Sequence, residues 1–194
     1  MKVWVTSDTH FSHKNIIQYA ERPFENIEEM NKKLINNWNS CIADDDIVIF
    51  CGDFCFCRPA AAKEITSTWS LLLNGRKIIV KGNHDFKKLR YTECGFAAEY
   101  YQLFPFGRFL FCHRPDQLGE WHRDYDFVFY GHTHQNYPTD TYLNCINVCL
   151  DANNLMPLDI TDYFTEQERE ELSRLVGQNN VNYKWEDISI WRLK

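Results

Sequence analysis

Five short polar motifs, each at the end of an apolar run, constrain the fold of this 194-residue chain more than any other feature. The apolar runs before them are rich in β-branched and aromatic residues, which is typical of strands covered on both faces. The motifs are Asp8-Thr9-His10, Gly52-Asp53, Gly82-Asn83-His84-Asp85, Cys112-His113 and Gly131-His132-Thr133-His134. In an open α/β sheet, side chains that act on ligands cluster just beyond the carboxyl ends of the strands. The sequence therefore predicts a fold that gathers five strand ends around one centre.

The alternation of apolar runs with helical patterns favours an α/β domain over an all-β or all-α one. Six strands are predicted, over residues 3–5, 47–50, 78–80, 109–111, 127–130 and 145–150. Residues 100–108 contain alternating apolar residues and a Pro-Phe-Gly break, and this pattern predicts two strands that meet at a turn.

Three helices are predicted from capping residues and from apolar residues at helical spacing. The first covers residues 26–42, with Asn26 as its cap and Glu29 completing a capping box. The second covers residues 59–73 and has Pro59 in its first turn. The third covers residues 165–176. A shorter helix is expected just after His13.

Length and composition indicate one domain over residues 1–194 that remains in the cytoplasm. The segment 177–194 is too apolar for a solvated tail, so we expect it to pack on the domain or on a second subunit of a homo-oligomer. No apolar stretch approaches the about 20 residues that cross a bilayer. The eight cysteines, without a signal peptide before them, indicate reduced thiols rather than disulfides.

The net charge of -6 provides no positive field for a long nucleic acid, so a small phosphorylated partner fits better. Bound divalent cations would offset part of that charge and make the site itself locally positive.

The polar motifs combine carboxylate, amide and imidazole ligands without a thiolate. This combination favours manganese, with iron, zinc or nickel as alternatives. Two metal ions about 3.5–4 Å apart are the usual means of splitting phosphate esters. A carboxylate with two oxygens can bridge two ions, and Asp53 is our candidate for the bridge. A single Asp-x-His or Gly-Asp would more often be a capped turn, so the metal interpretation depends on all five motifs together.

The ordered motifs resemble those of the calcineurin-like metallophosphoesterase superfamily, and they span residues 8–134. That family's pattern is Asp-x-His, Gly-Asp, Gly-Asn-His-Asp/Glu, a lone His and Gly-His-x-His. Residues 8–17, 22–24 and 37–39 also resemble a small bacterial and phage branch of the superfamily, for which phosphoesterase activity is given without a substrate.

The resemblance implies a sandwich of two mixed sheets flanked by helices, with the site at one end. It implies one metal ion held by Asp8, His10, Asp53 and His134, and a second held by Asp53, Asn83, His113 and His132. A hydroxide between the metals would attack phosphorus directly, without a covalent phosphoenzyme. His84 would stabilise the phosphoryl oxygens or protonate the leaving group.

The chain departs from the family pattern at Phe56, where the Ser/Thr phosphatase branch has an Asp that orients the catalytic histidine. Three alternatives therefore remain for the His84 imidazole: it is oriented by Asp85, it is oriented by a backbone carbonyl, or no carboxylate orients it.

Four residues are candidates for binding the substrate phosphate: Asn83, His13, Arg22 and Arg114. His13 has an equal explanation as a histidine hydrogen-bonded near a helix start, and either arginine could be an ordinary surface residue.

Three functions follow as hypotheses. The first is a dinuclear metal-dependent phosphoesterase that hydrolyses a small phosphomonoester or phosphodiester. The second is a nuclease acting on single-stranded nucleic acid, which would need a basic or aromatic track along its surface. The third is a binding scaffold with an inactive site. The sequence favours the first because none of the motif residues is lost.

Overall fold

The strands of the protein form two mixed sheets in the computed structural model, which describes residues 1–118, 121–136 and 144–177. The strands are β1 (Val3–Thr6), β2 (Ile47–Phe50), β3 (Arg76–Lys81), β4 (Ala98–Tyr101), β5 (Leu103–Phe106), β6 (Phe109–Cys112), β7 (Phe127–Tyr130), β8 (Cys145–Asn147) and β9 (Leu158–Asp159). The first sheet has the order β4-β3-β2-β1-β9, and only β9 is antiparallel to its neighbour. The second has the order β5-β6-β7-β8, with β5 antiparallel to β6. This architecture confirms the predicted fold class.

The main core lies between the two sheets. Val5, Ile49 and Val80 of the first sheet belong to the same buried cluster as Phe111 and Phe129 of the second. Because successive residues of a strand point to opposite faces, the neighbouring residues of the first sheet face outward. Burial on both faces explains why strands such as β2 and β6 are apolar throughout their length.

The outer face of the first sheet is covered by helices. The helices are α1 (Ile16–Tyr19), α2 (Ile27–Cys41), α3 (Ala62–Leu72) and α4 (Glu166–Val176). Met30, Leu34 and Trp38 of α2 pack in one cluster with Trp69 of α3 and Phe50 of β2. Helix α4 instead contributes its apolar residues to the core between the sheets.

The predicted helices are confirmed, with differences at their ends. Asn26 caps α2 by accepting a hydrogen bond from the Glu29 amide at 2.8 Å, but the Glu29 carboxylate accepts from Glu25 instead of completing the box. The predicted second helix begins as a 3-10 turn, Pro59–Ala61, before α3. Thr165 and Glu168 form the full capping box of α4.

The prediction for residues 100–108 was wrong in its details. Strand β4 ends at Tyr101 in the first sheet, and the hairpin instead joins β5 to β6 around Gly107. Pro105, expected to mark the turn, lies inside β5. Proline is tolerated there because β5 is an edge strand and its missing amide costs no ladder hydrogen bond.

All eight cysteines lie within the described residues, and each has a free thiol. In the part of the chain that the structure describes, no helix combines the length and apolar character needed to cross a membrane. The predicted packing of the segment 177–194 concerns residues that, apart from Gly177, lie outside the described ranges.

Candidate metal centre

The five motifs meet at one end of the sandwich because they follow the carboxyl ends of strands that run in parallel. Asp8 lies just past β1, Asp53 past β2 and His84 past β3 in the first sheet. His113 follows β6 and His132 follows β7 in the second sheet. The two sheets are joined here, since Leu150 donates its amide hydrogen to the carbonyl of Ser7 at 3.2 Å.

The ligand candidates form two groups. In each group, one ligand atom from every residue lies within 4.8 Å of the others. The first group is Asp8, His10 and His134, and the second is Asp53, His113 and His132. The Asn83 amide oxygen adds to the second group, at 3.0 Å from Nε2 of His113.

Asp53 lies between the groups. Its Oδ2 atom is 3.3 Å from Nε2 of His113 and 3.8 Å from Nε2 of His10, which belongs to the first group. Its other oxygen, Oδ1, accepts a hydrogen bond from the His84 amide at 2.9 Å. One carboxylate oxygen is therefore fixed by the backbone, while the other faces both groups.

Unpartnered polar atoms in the first group fit the presence of a metal ion. Oδ1 of Asp8 and both ring nitrogens of His10 are buried and have no hydrogen-bond partner. Buried polar atoms are nearly always paired, so such exceptions need an explanation, and an ion provides one. The other Asp8 oxygen is occupied, because it accepts from the His132 amide at 2.9 Å and from the Cys149 thiol at 3.1 Å.

The ligand residues have a backbone conformation that is uncommon for residues with side chains. Five of them have a positive φ between 49° and 74°: Asp8, His10, Asp53, His132 and His134. Non-glycine residues in this region cost on the order of 1–3 kcal/mol each, and such strain is concentrated at functional sites.

The glycines that precede the ligand residues allow a tight turn at one position and close approach of two segments at another. Gly52 has a φ of 88°, as a tight turn requires. A Cβ atom on Gly131 would instead lie 2.7 Å from the Cys51 carbonyl and 2.8 Å from Oδ2 of Asp8. Gly131 therefore lets the two sheets meet at the site.

The charges of the site stabilise its carboxylates. Burial opposes ionisation of Asp8, but the charge of His10, whose Nε2 atom lies 3.7 Å from Oδ1 of Asp8, and the charges of the neighbouring histidines keep the pKa of Asp8 below the usual range. The pKa of Asp53 is lowered against burial in the same way, mainly by His113. In return, Asp53 and Asp8 overcome burial and raise the pKa of His113 to about 9. The site is thus built to hold positive charge.

Asp151 supports this centre, and the sequence analysis missed it. Its Oδ2 atom lies 2.5 Å from Nδ1 of His134, and both its oxygens accept from Arg22, at 2.7 and 2.9 Å. Arg22 also donates to the backbone carbonyls of Asp8 and Thr9, at 2.6 and 2.9 Å. The signal was present in the sequence, because Asp151 follows the predicted strand 145–150 just as the motif residues follow theirs.

Arg22, predicted to contact phosphate, is placed behind the site. Its side chain is fully buried, and its fork is occupied by Asp151 and the backbone. Arg114 lies at the surface beside His113 and forms its own fork with Asp116, at 3.0 and 2.6 Å. Of the two arginines, only Arg114 has exposed surface.

Asp85 ties together the loops of the site and does not orient His84. Its carboxylate accepts from the backbone amides of Gly82, Asp53 and Phe54, at 2.7, 2.8 and 3.1 Å. Among the described residues, no carboxylate is hydrogen-bonded to the imidazole of His84, which is exposed.

His13 lies among aromatic rings near the centre. Its ring centroid is 5.5 Å from that of His10 and 4.3 Å from that of Phe56. Burial and the charges of His10, His84 and Arg22 lower the pKa of His13 to about 4, so its ring is neutral at pH 7.

Comparisons with known proteins agree with this geometry. A family model described as the calcineurin-like phosphoesterase superfamily domain matches residues 1–148. An uncharacterized protein of Methanocaldococcus jannaschii is 37% identical over 166 residues, which cover 82% of this chain and 87% of that protein. The gene 66 protein of Mycobacterium phage L5 is 31% identical over 83 residues, 42% of this chain and 39% of its own length.

The fold is also found in a crystal structure of a protein of unknown function from Aquifex aeolicus. The two structures have a TM-score of 0.64 at 24% sequence identity. The match covers 89% of this chain and 99% of the Aquifex chain, so the likeness of fold extends over nearly the whole of both.

Proposed function

Because the chain belongs to the calcineurin-like phosphoesterase superfamily, we propose that it hydrolyses a small phosphomonoester or phosphodiester with two divalent metal ions. The observation that carries this proposal is the position of Asp53, whose Oδ2 atom faces His10 of one ligand group and His113 of the other. A metal-dependent hydrolase is thereby favoured over a binding scaffold.

Each ion would have its own set of ligands. Asp8, His10, Asp53 and His134 would hold one ion, and Asp53, Asn83, His113 and His132 would hold the other. A pair of such ions binds phosphoryl oxygens and provides hydroxide near neutral pH. The absence of a free thiolate favours manganese, since burial raises the pKa of the nearby Cys149 thiol well above its usual value.

Four residues beside the ions would act on the substrate. The imidazole of His84 is exposed next to the centre, where it can donate to a phosphoryl oxygen or to the departing oxygen. Arg114 is placed to add positive charge from the surface. Asn83 would contact the phosphate from the second ligand group. The neutral ring of His13 would shape the pocket rather than neutralise phosphate.

The test is hydrolysis of bis(4-nitrophenyl) phosphate with added manganese. Asp53→Asn and His132→Ala should abolish turnover, because each removes a ligand. Asp126→Asn, which changes an exposed carboxylate paired with Arg108 at the end of β7 away from His132, is the control and should retain activity. Near wild-type rates in either ligand variant would contradict the assignment.

The nuclease alternative stays a prediction. Salt-sensitive binding of a single-stranded oligonucleotide would support it, because phosphate contacts weaken as salt rises.

A further inference from the structure

A row of rings leads from the buried metal centre to the protein surface. It begins at His10 and continues to His13 and His84, whose ring centroids each lie 5.5 Å from that of His10. Phe56 lies farther out, with its ring centroid 4.3 Å from His13 and 6.1 Å from His84. Tyr19 lies 6.2 Å from His13. The outer part of this row has no task in the metal chemistry.

Phe56 and Tyr19 are exposed, although most aromatic residues in the described ranges are buried. They are 45% and 69% exposed, whereas Phe54, two residues before Phe56, is completely buried. Single exposed apolar residues are common on protein surfaces. Two exposed aromatic residues whose rings both lie near His13, next to the metal centre, are a more specific arrangement.

The position of Phe56 is fixed by the backbone. The Phe56 amide donates to the Phe11 carbonyl at 2.8 Å, and the Phe11 amide donates to the Phe54 carbonyl at 3.0 Å. Phe11 is itself buried against Phe54 and Trp69. The Phe56 ring also packs on His13, and a ring held by both its backbone and a neighbouring ring loses little conformational freedom when a ligand covers it, which favours binding.

We propose that Phe56, His13 and Tyr19 form a ring platform that binds a planar aromatic group carried by the phosphate-ester substrate. This inference rests on the proposed function, which places the phosphate beside His84. Phe56 adjoins His84, so a ring joined to that phosphate would lie against the platform. Stacking on the platform would remove apolar surface from water without requiring any charge.

The chemistry of the platform determines which part of the substrate it recognises. It offers ring faces, so it would select the organic part of the ester and not its phosphate. Aryl groups and nucleobases share the planar ring that such a surface accepts. At the position of Phe56, the Ser/Thr phosphatase branch has a carboxylate, and the exchange replaces a charged contact with a stacking surface.

The experiment uses three diesters with the same non-aromatic hexafluoro-2-propoxide leaving group, whose release is followed by fluorine NMR: the methyl, benzyl and thymidine 5′ esters of hexafluoro-2-propyl phosphate. Because the leaving group is constant, only the retained part of the substrate differs. Phe56→Ala should lower kcat/KM about tenfold for the two ring-bearing esters, the scale of one lost stacking contact, and less than twofold for the methyl ester. Tyr19→Ala should act in the same direction.

Matched variants separate stacking from other effects. Phe56→Leu keeps an apolar side chain without a ring and should reproduce the selective loss, whereas Phe56→Trp should restore activity. Tyr163→Ala is the control, because Tyr163 packs on Phe127 at the opposite end of β7 from His132.

The outcomes distinguish the two proposals. A loss for the thymidine ester alone would identify a nucleobase as the occupant, and a loss for both ring-bearing esters would identify any planar ring. An equal loss for all three esters would overturn the platform, since Phe56 would then act by supporting His84. Failure of the wild-type protein to hydrolyse any of them would overturn the proposed function itself.

Discussion

His134 and Asp151 are joined by a hydrogen bond of 2.5 Å between the Nδ1 atom of the imidazole and Oδ2 of the carboxylate. Burial opposes the ionisation of Asp151, but His134 and Arg22 outweigh it and lower its pKa. An ionised carboxylate can only accept, so Nδ1 of His134 carries a hydrogen, and in the neutral ring Nε2 keeps its lone pair. That Nε2 atom lies 3.9 Å from Oδ1 of Asp8. Asp151 therefore selects the tautomer that can bind a metal ion.

Replacing Asp151 with Asn should weaken metal binding at the group formed by Asp8, His10 and His134. We expect the Mn²⁺ affinity of this group to fall by about 10- to 100-fold, as is usual when a supporting carboxylate is removed from a ligand histidine. Isothermal titration calorimetry of the metal-free protein measures the effect as one weakened site beside one unchanged site.

Asp116→Asn is the control for this prediction. The Asp116 carboxylate also accepts two hydrogen bonds from an arginine, Arg114, but it is not hydrogen-bonded to a ligand histidine. Two unchanged binding sites in Asp151→Asn would show that Asp151 does not orient His134.

The two arginine forks should differ strongly in their contribution to stability. Arg22→Met leaves the buried Asp151 carboxylate without its arginine partner and with only His134 beside it, and we expect a loss of about 3–5 kcal/mol in the free energy of unfolding. Arg114→Met breaks an exposed pair that is screened by solvent and should cost far less. Urea denaturation of both metal-free variants tests this, and equal losses would argue against it.

Removal of the His84 imidazole should affect esters according to their leaving group. A general acid contributes about 10²–10⁴-fold when the departing oxygen needs a proton, and far less when that oxygen is already a stable anion. His84→Ala should therefore slow an alkyl ester much more than a 4-nitrophenyl ester, with Mn²⁺ binding unchanged. Rates for a series of leaving groups measure this, and a uniform loss would assign His84 to the phosphoryl oxygens alone.

Lys77 should make stability depend on pH above neutrality. Its ammonium is buried, donates to the carbonyls of Leu73 and Gly75 at 2.6 and 2.9 Å, and has its pKa lowered by burial to about 7. Between pH 7 and the unfolded value of 10.5, the Lys77 side chain binds more protons in the unfolded chain than in the folded one, so its contribution to the free energy of unfolding rises with pH. The slope is at most about 1.4 kcal/mol per pH unit.

Urea denaturation from pH 6 to 9 tests this, with Lys77→Met expected to remove the rise. Lys63→Met is the control, because Lys63 is exposed and its pKa is raised by Glu93, away from this window. A rise that persists in Lys77→Met would assign it to another group.

Much of the fold was predictable because single elements carry their own signals. Burial on both faces makes strands such as β2 and β6 continuously apolar, and caps such as Asn26 and Thr165 mark helix starts. The motif residues were found in the same way, since each follows an apolar run. The prediction put Pro105 at a turn, but the residue lies inside β5. A proline is tolerated within β5 because that strand is at the edge of its sheet, and the edge position depends on the whole sheet.

The supporting residues of the site were not predictable in this way. Arg22 and Asp85 are polar residues at positions where either a buried or an exposed side chain would fit the local pattern. Their roles depend on partners 129 residues away, as for Arg22 with Asp151, or on several backbone amides that meet only in the folded chain. The position of a residue in the sequence does not show which of these partners its side chain meets in the folded chain.

Five ligand residues have a left-handed backbone conformation, which costs stability, yet their side chains are needed for function. Glycine at any of these positions would relieve the backbone while deleting a ligand. A variant library selected only for thermostability would therefore become enriched in substitutions that remove metal ligands. Directed evolution of a more stable enzyme from this chain requires a screen for turnover in every round.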